Sequence, residues 1–231
     1  MLPPKIVKHL QVLRVNLDTP LVLFNGAGEE ISAKIIAVNK KVIQVVLQDD
    51  CTQESPPQLK LHLGQALCRF DRMDFIIQKA VELNVSSITP LYAERSQGRI
   101  KPAQLEAKLS HWQEIIIHAC EQCGQNYLPK LHPPLLLTDW VKEVQDVVKL
   151  NFTPDRALPL KLISNTAPSA CTLLIGPEGG LSPAELALCD QAAFERVSLG
   201  PQILRVETAA ILALGMAQYH FSNANYGLKK S

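Results

Sequence analysis

The segment of residues 173–186, LLIGPEGGLSPAEL, constrains the fold of this chain more than any other. Its first three residues are all apolar, which is typical of a strand buried on both faces of a parallel sheet. A glycine-rich loop follows, and a helix then begins with Ser182 as N-cap, Pro183 at the first helical position and Glu185 completing a Ser-x-x-Glu capping box. Open α/β sheets bind ligands in loops at this end of their strands.

A second segment repeats this arrangement about twenty residues later. Residues 197–200 predict a short strand, residues 201–208 a loop, and residues 209–220 an apolar helix. Neither loop carries the GxGxxG dinucleotide fingerprint or the Gly-Lys-Ser/Thr of a P-loop. From the residues alone, two ordinary strand-to-helix turns and a ligand site both remain open.

The rest of the chain divides into two regions of different periodicity. Up to about residue 68 the pattern favours a small β domain of the barrel type, and from residue 71 strands and helices alternate, which predicts a mostly parallel α/β sheet. The strands predicted in the first region are residues 9–14, 21–24, 31–38, 42–47 and 59–68. The second region predicts helices at 71–83, 102–122 and 138–148 and strands at 87–91, 158–163, 172–175 and 194–199.

Composition excludes some classes of protein. No run of about eighteen apolar residues is present, and the first residues lack the apolar core of a signal peptide, so we expect neither a membrane span nor a secreted protein. The net charge is +1, so any nucleic-acid-binding face must segregate its cations. Of six cysteines only Cys120 and Cys123 have metal-ligand spacing, without a second pair; we expect no metal, reduced thiols and a cytoplasmic location.

The two loop segments, GPEGGLSPAE and LGPQILRVETA, together resemble the ribosomal RNA small subunit methyltransferase E family. The stretches HLQVLRV and LFNGAGEEISAKI resemble its amino-terminal PUA-like barrel, and DRMDFIIQKAVELNVSSITPLYAERS and HWQEIIIHACEQCGQNYLP resemble its catalytic domain. Two departures are Gln125 and Gln202, where the family pattern has arginine. The resemblance covers nearly the whole chain.

This resemblance implies an S-adenosylmethionine-dependent enzyme that methylates N3 of a uridine in 16S ribosomal RNA. It implies a PUA-like, RNA-binding β-barrel at residues 1–70 and a SPOUT-type parallel sheet with a trefoil knot at residues 71–231. It also implies a homodimer, consistent with a last helix that is apolar on more than one face. Free 16S RNA or the small ribosomal subunit would be the partner, and no membrane is expected.

The residues assigned to the cofactor lie in the loops. They are Ile163, Gly176, Pro177, Glu178, Gly179, Gly180, Leu199, Gly200, Ile203 and Leu204. Arg205 is the candidate for pairing with a phosphate or stabilising negative charge on a uracil oxygen. Glu207 is the candidate for orienting Arg205 or acting as general base. Contacts to the RNA backbone are assigned to Arg14, Arg72, Lys79 and Arg95.

Simpler interpretations stay open for these residues. Ile163 and Leu199 also fit a plain core, Arg205 and Glu207 fit an ion pair that shapes the loop, and each proposed RNA-binding cation fits a solvated surface charge. Two other functions also remain: a non-catalytic RNA-binding relative, which Gln125 and Gln202 would suit, and a small-molecule transferase that uses the GPEGG loop as an anion site.

Overall fold

The computed structural model of the chain describes residues 2–39, 41–154, 157–160 and 168–222. The chain packs as two compact units, Met1–Pro56 and Pro57–Ser231. This division lies earlier than the boundary at residue 70 expected from the sequence. The physical reason is the strand Lys60–Ala66, which pairs on both sides within the sheet of the second unit.

The first unit joins one helix to an antiparallel sheet. Its elements are α1 (Pro4–Val12), β1 (Pro20–Phe24), β2 (Glu29–Val38), β3 (Ile43–Leu47) and β4 (Thr52–Gln53). The sheet order is β1-β2-β3, and β4 pairs with β2. The strand predicted at residues 9–14 is wrong, because this segment continues α1 and then turns. Val7 and Leu10, three apart on one helix face, are buried against Ile35 and Ile43.

The second unit is built on a parallel sheet. In chain order its elements are β5 (Lys60–Ala66), α2 (Phe70–Glu82), β6 (Ser87–Tyr92), α3 (Leu105–Cys123), β7 (Lys130–Leu131), β8 (Leu135–Leu136), α4 (Leu137–Glu143), β9 (Val148–Phe152), β10 (Leu158–Pro159), β11 (Ala170–Ile175), α5 (Pro183–Gln191), β12 (Glu195–Ser198) and α6 (Val206–Phe221). The strand order is β10-β12-β9-β11-β5-β6-β7, with β8 paired to β6. Each of these pairs is parallel, as the sequence predicted.

Two details of the second unit differ from the prediction. The helix expected at residues 138–148 ends at Glu143, and β9 follows it as a central strand between β12 and β11. The strand expected at residues 158–163 is seen only as Leu158–Pro159, and Ile163 lies outside the described residues. The trefoil knot stays a prediction, since residues 155–156 and 161–167 are also outside them.

An apolar cluster holds α4 and α5 against one face of the sheet. Leu174 of β11 packs there with Trp140, Leu181 and Phe194. Gly64 is the register partner of Leu174, and a Cβ at that position would overlap the Trp140 indole. Glycine at this position therefore lets a helix carrying a tryptophan lie close to a central strand.

A hydrogen-bond network centred on the partly exposed Asp74 joins α2 to α3. Asp74 accepts hydrogen bonds from the fully buried Trp112 through Nε1 (2.8 Å), from Lys108 (3.2 Å) and from His111 (2.7 Å). Burial alone would raise the pKa of Asp74, but the hydrogen bonds from His111, Trp112 and Lys108 outweigh it and lower that pKa below its usual value. The network pins both helices to each other by a charge-assisted contact.

All six cysteines are free thiols. Burial raises the pKa of four of them to about 12, and these four are Cys68, Cys120, Cys171 and Cys189. Cys51 and Cys123 are exposed. Among the described residues no group of histidine, cysteine or carboxylate side chains could hold a metal ion. No helix within the described ranges is long and apolar enough to cross a membrane.

Candidate functional site

The loop between β11 and α5 is fixed where it enters α5. At its end Ser182 Oγ accepts from the Glu185 amide (3.3 Å) and Glu185 Oε2 accepts from the Ser182 amide (2.8 Å), so the predicted capping box is confirmed. The second carboxylate oxygen of Glu185 accepts from the Glu94 amide at 2.8 Å, which ties the loop after β6 to the same helix start. Gly180 has φ +67°, a conformation that favours glycine.

The loop between β12 and α6 forms, with the loop after β11, the walls of the pocket described below. It begins at Leu199 and Gly200, and Gly200 adopts φ +122°, where residues with a Cβ are strained. The Gly200 amide donates to Ser198 Oγ at 3.2 Å, which holds the turn against the end of β12. Helix α6 starts at Val206 with Arg205 as its N-cap residue, whose side chain makes no capping hydrogen bond.

The two loops enclose a pocket of about 290 Å³ at the carboxyl end of the sheet. Its volume lies at the lower end of the range for small-molecule sites. Nine of the ten residues assigned to the cofactor line it, and Ile163 is outside the described residues. They are Gly176, Pro177, Glu178, Gly179, Gly180, Leu199, Gly200, Ile203 and Leu204. Gln202 lines the pocket as well.

A third wall was missed in the sequence. Asn151, Phe152, Thr153 and Pro154, at the end of β9, also line the pocket. Asn151 is fully buried, and neither polar atom of its side chain has a hydrogen-bond partner among the described residues. A buried amide with a free donor and a free acceptor is suited to a ligand or an ordered water. The only sequence signal for this wall was the mostly apolar segment VVKLNF, residues 147–152. It predicts a strand only when the preceding helix is known to end at Glu143.

The two proposed catalytic residues, Arg205 and Glu207, differ in their exposure to solvent. Arg205 is exposed, whereas the side chain of Glu207 retains only 19% of its accessible surface. Glu207 faces Arg72 of α2, with Oε2 and Nε 3.8 Å apart. Glu178 of the GPEGG loop faces the same guanidinium, with Oε1 and Nη1 3.5 Å apart. Arg72 therefore lies between a pocket-lining carboxylate and the first turn of α6.

The other predicted RNA-binding cations lie in different places. Arg95 Nη1 donates to the Gly179 carbonyl at 3.0 Å, so this exposed side chain touches the GPEGG loop. Lys79 pairs with Glu82 on α2 at 2.7 Å. Arg14 is exposed in the first unit. The structure thus brings Arg72 and Arg95 to the pocket loop.

Comparison with known proteins identifies the chain. The RNA methyltransferase domain family matches residues 54–218, and the RNA methyltransferase PUA domain family matches residues 2–48. The ribosomal RNA small subunit methyltransferase E of Buchnera aphidicola (subsp. Schizaphis graminum) is 33% identical over 92% of this chain and 87% of its own length. This chain belongs to the ribosomal RNA small subunit methyltransferase E family. The Bacillus subtilis member is 27% identical over 92% of the chain and 87% of its own length.

Solved structures of the family share this fold. A putative methyltransferase of Legionella pneumophila, in complex with its cofactor S-adenosylmethionine, is 39% identical with a TM-score of 0.90, covering 94% of this chain and 90% of that one. The ribosomal RNA small subunit methyltransferase E of Neisseria gonorrhoeae, bound to S-adenosylmethionine, is 35% identical with a TM-score of 0.86 and the same coverage. The expected α/β fold with an amino-terminal PUA domain is confirmed.

Proposed function

We propose that this RNA methyltransferase transfers a methyl group from S-adenosylmethionine to N3 of a uridine in 16S ribosomal RNA. The observation that carries the proposal is the pocket formed jointly by the two loops that resemble the family. Family membership and the two S-adenosylmethionine complexes among its relatives support the cofactor.

The residues around the pocket suit S-adenosylmethionine. Gly180 and Gly200 hold backbone conformations that bring main-chain groups to the pocket wall without side chains. The side-chain amide of Asn151 has an unpaired nitrogen, which carries two N–H donors, and an unpaired acceptor oxygen, which matches a neutral, hydrogen-bonding ligand such as an adenine edge or a ribose. When bound, the cofactor supplies an electrophilic methyl group on a sulfonium. The protein must then hold the uridine in line with that methyl.

The chain's own charged residues are proposed to manage the acceptor. N3 of uracil carries a proton, and its removal leaves negative charge on the neighbouring oxygens. Arg205, exposed at the start of α6, is our candidate for stabilising that charge, which would favour the transition state more than the ground state. Glu207 is our candidate for accepting the proton, because its carboxylate is partly buried and its contact to Arg72 is long, at 3.8 Å.

RNA is proposed to contact cations on both units. Arg14 and Arg95 are exposed, and Lys79 is half-buried on α2. Their contacts would be to phosphates, so they would position the RNA without reading its sequence. We also propose that the enzyme acts in the cytoplasm and as a homodimer through its second unit, where α6 leaves Leu212 and Tyr219 exposed.

The deciding experiment is methylation of ribosomal RNA that lacks the modification. Small subunits or RNA from a strain without this activity are incubated with the protein and S-adenosylmethionine, and the RNA is then reverse transcribed. Because a methyl on N3 blocks base pairing, a new stop is expected at one uridine. A methylated product that is read through would exclude N3. Cofactor binding without any methylation of either substrate would instead favour the non-catalytic, RNA-binding alternative.

A further inference from the structure

Three charged side chains from different elements meet beside the pocket. They are Arg72 of α2, Glu178 of the GPEGG loop and Glu207 of α6, and we refer to them as the charge cluster. Arg72 lies 3.5 Å from Glu178 and 3.8 Å from Glu207. All three are largely buried, with side-chain exposures of 28%, 16% and 19%.

The two carboxylates of the charge cluster are only partly compensated. The ion-pair distances exceed the 2.7–2.9 Å of a strong charge-assisted hydrogen bond. In each carboxylate, Oε2 is buried and has no hydrogen-bond partner among the described residues. One further contact is a long hydrogen bond (3.4 Å) from the Arg69 amide to Glu178 Oε1. Two negative charges therefore share one guanidinium.

The groups near the charge cluster do not neutralise its excess negative charge. The Cys68 thiol is fully buried next to the cluster, and burial together with the charge of Glu178 raises its pKa to about 12, so it is neutral at physiological pH. The cations of the adjoining loops include Arg69, Arg95 and Arg205, but all three are exposed, Arg69 lies 3.4 Å from Asp71, and water screens their charges. The charge cluster is thus a partly desolvated source of negative potential.

Glu178 connects this potential to the ligand because it also lines the pocket. We propose that the charge cluster makes the pocket prefer the cationic cofactor over its neutral-sulfur product, and so favours exchange of product for fresh cofactor. The inference rests on the proposed function. Arg72 then acts as a positioning residue that holds Glu178 at the pocket and Glu207 beside it, instead of as an RNA contact.

The charge change of the reaction supplies the discrimination. The bond between sulfur and the methyl carbon breaks, a bond from that carbon to uridine N3 forms, the electron pair stays on sulfur, and the N3 proton passes to a base. The sulfur therefore loses its positive charge while the rest of the ligand is unchanged. A carboxylate that is only partly compensated attracts the sulfonium of the cofactor but not the neutral sulfur of the product.

The size of the effect follows from Coulomb's law. A unit charge acting over roughly 12 Å at an effective dielectric constant near 20 changes an affinity about tenfold. A residue that lines a pocket of 290 Å³ acts over a shorter distance than this, and screening by Arg72 offsets part of the gain. We therefore expect a preference of about tenfold at low ionic strength from Glu178.

The test compares ligands instead of turnover. Calorimetry at low salt gives Kd for S-adenosylmethionine, for S-adenosylhomocysteine, and for sinefungin, in which a protonated amine replaces the sulfonium. In Glu178→Gln, which keeps the shape of the side chain, the ratio of the S-adenosylhomocysteine Kd to the S-adenosylmethionine Kd should fall about tenfold. The ratio of the S-adenosylhomocysteine Kd to the sinefungin Kd should fall by a similar factor. Glu195→Gln, an exposed carboxylate on β12, is the matched control and should change neither ratio.

Each outcome has a defined meaning. Ratios in Glu178→Gln that stay within twofold of the wild type would overturn the inference while leaving the cofactor site intact. A wild-type protein that binds none of the three ligands would overturn the proposed function, and the inference with it. If Glu178→Gln does not fold, Glu207→Gln and a salt titration of the wild type replace it. The wild-type preference should then shrink with rising ionic strength, and a salt-independent ratio would contradict the inference.

Discussion

Replacement of Gly200 by alanine should separate backbone strain from steric fit at the cofactor pocket. Gly200 has φ +122°, and a Cβ there would meet no atom within 4 Å. The substitution therefore adds no clash, and its whole effect comes from forcing an L residue into a conformation that it rarely adopts. Such strain costs about 1–3 kcal/mol.

The strain must appear in one of two measurable quantities. If the loop keeps its conformation, the free energy of unfolding falls by the full amount, which for a protein of this size lowers Tm by about 2–4 °C per kcal/mol. If the loop relaxes, the pocket wall moves and cofactor affinity falls instead, about tenfold for each 1.4 kcal/mol. The sum of the two losses should lie between about 1 and 3 kcal/mol.

Thermal unfolding without ligand and calorimetry with S-adenosylmethionine measure the two parts. Gly124→Ala is the control: Gly124 caps α3 with φ +72°, far along the chain from the loops, so this variant should lose stability but keep affinity. Wild-type stability and affinity in Gly200→Ala would refute the reasoning.

Four further predictions follow from the fold and the site. Arg205→Ala should keep S-adenosylmethionine affinity within a few-fold but lose roughly a hundredfold in methylation rate, about 3 kcal/mol, and full activity would remove it from the mechanism. Gly176→Val places a Cβ 3.3 Å from Leu181 Cγ, so the wild type should show an upward Tm shift with saturating cofactor and this variant should not. Asp74→Ala should lower the free energy of unfolding, measured in urea at pH 7, by about 1–3 kcal/mol, since it leaves the buried Trp112 N–H unpaired. Because the pKa of Asp74 is lowered in the folded state, its contribution to stability is present above about pH 4 and is lost as the pH falls through that pKa. The stability of the variant should therefore approach that of the wild type in acid. Light scattering at micromolar concentration should give twice the chain mass of 25.5 kDa, and a monomer would contradict the proposed dimer.

Local signals in the sequence were sufficient for some elements. The start of α5 was predicted correctly because a capping box depends on residues only three apart, and both partners of the Ser182–Glu185 pair are visible in the sequence. The parallel sheet followed from the alternation of strands and helices. In both cases the information lies within one element or its nearest neighbours.

Other features depend on packing between distant segments. The strand predicted at residues 9–14 overlaps the end of α1, and burial of Val7 and Leu10 against Ile35 is what favours the helix. The third pocket wall exists because β9 is inserted between β12 and β11, which no local pattern indicates. The contact of Arg72 with Glu178 likewise joins residues far apart in the chain and could not be predicted locally, and the RNA contact assigned to Arg72 from the sequence stays a prediction.

The distribution of thiols has a practical consequence for observing the enzyme at work. Four of the six cysteines are buried and stay protonated, whereas Cys51 and Cys123 are exposed. One of these lies in Met1–Pro56 and the other in Pro57–Ser231. Maleimide dyes react with accessible thiolates, so the natural chain offers one attachment point on each unit without any substitution. Energy transfer between a donor and an acceptor placed there would follow the separation of the two units as RNA is added.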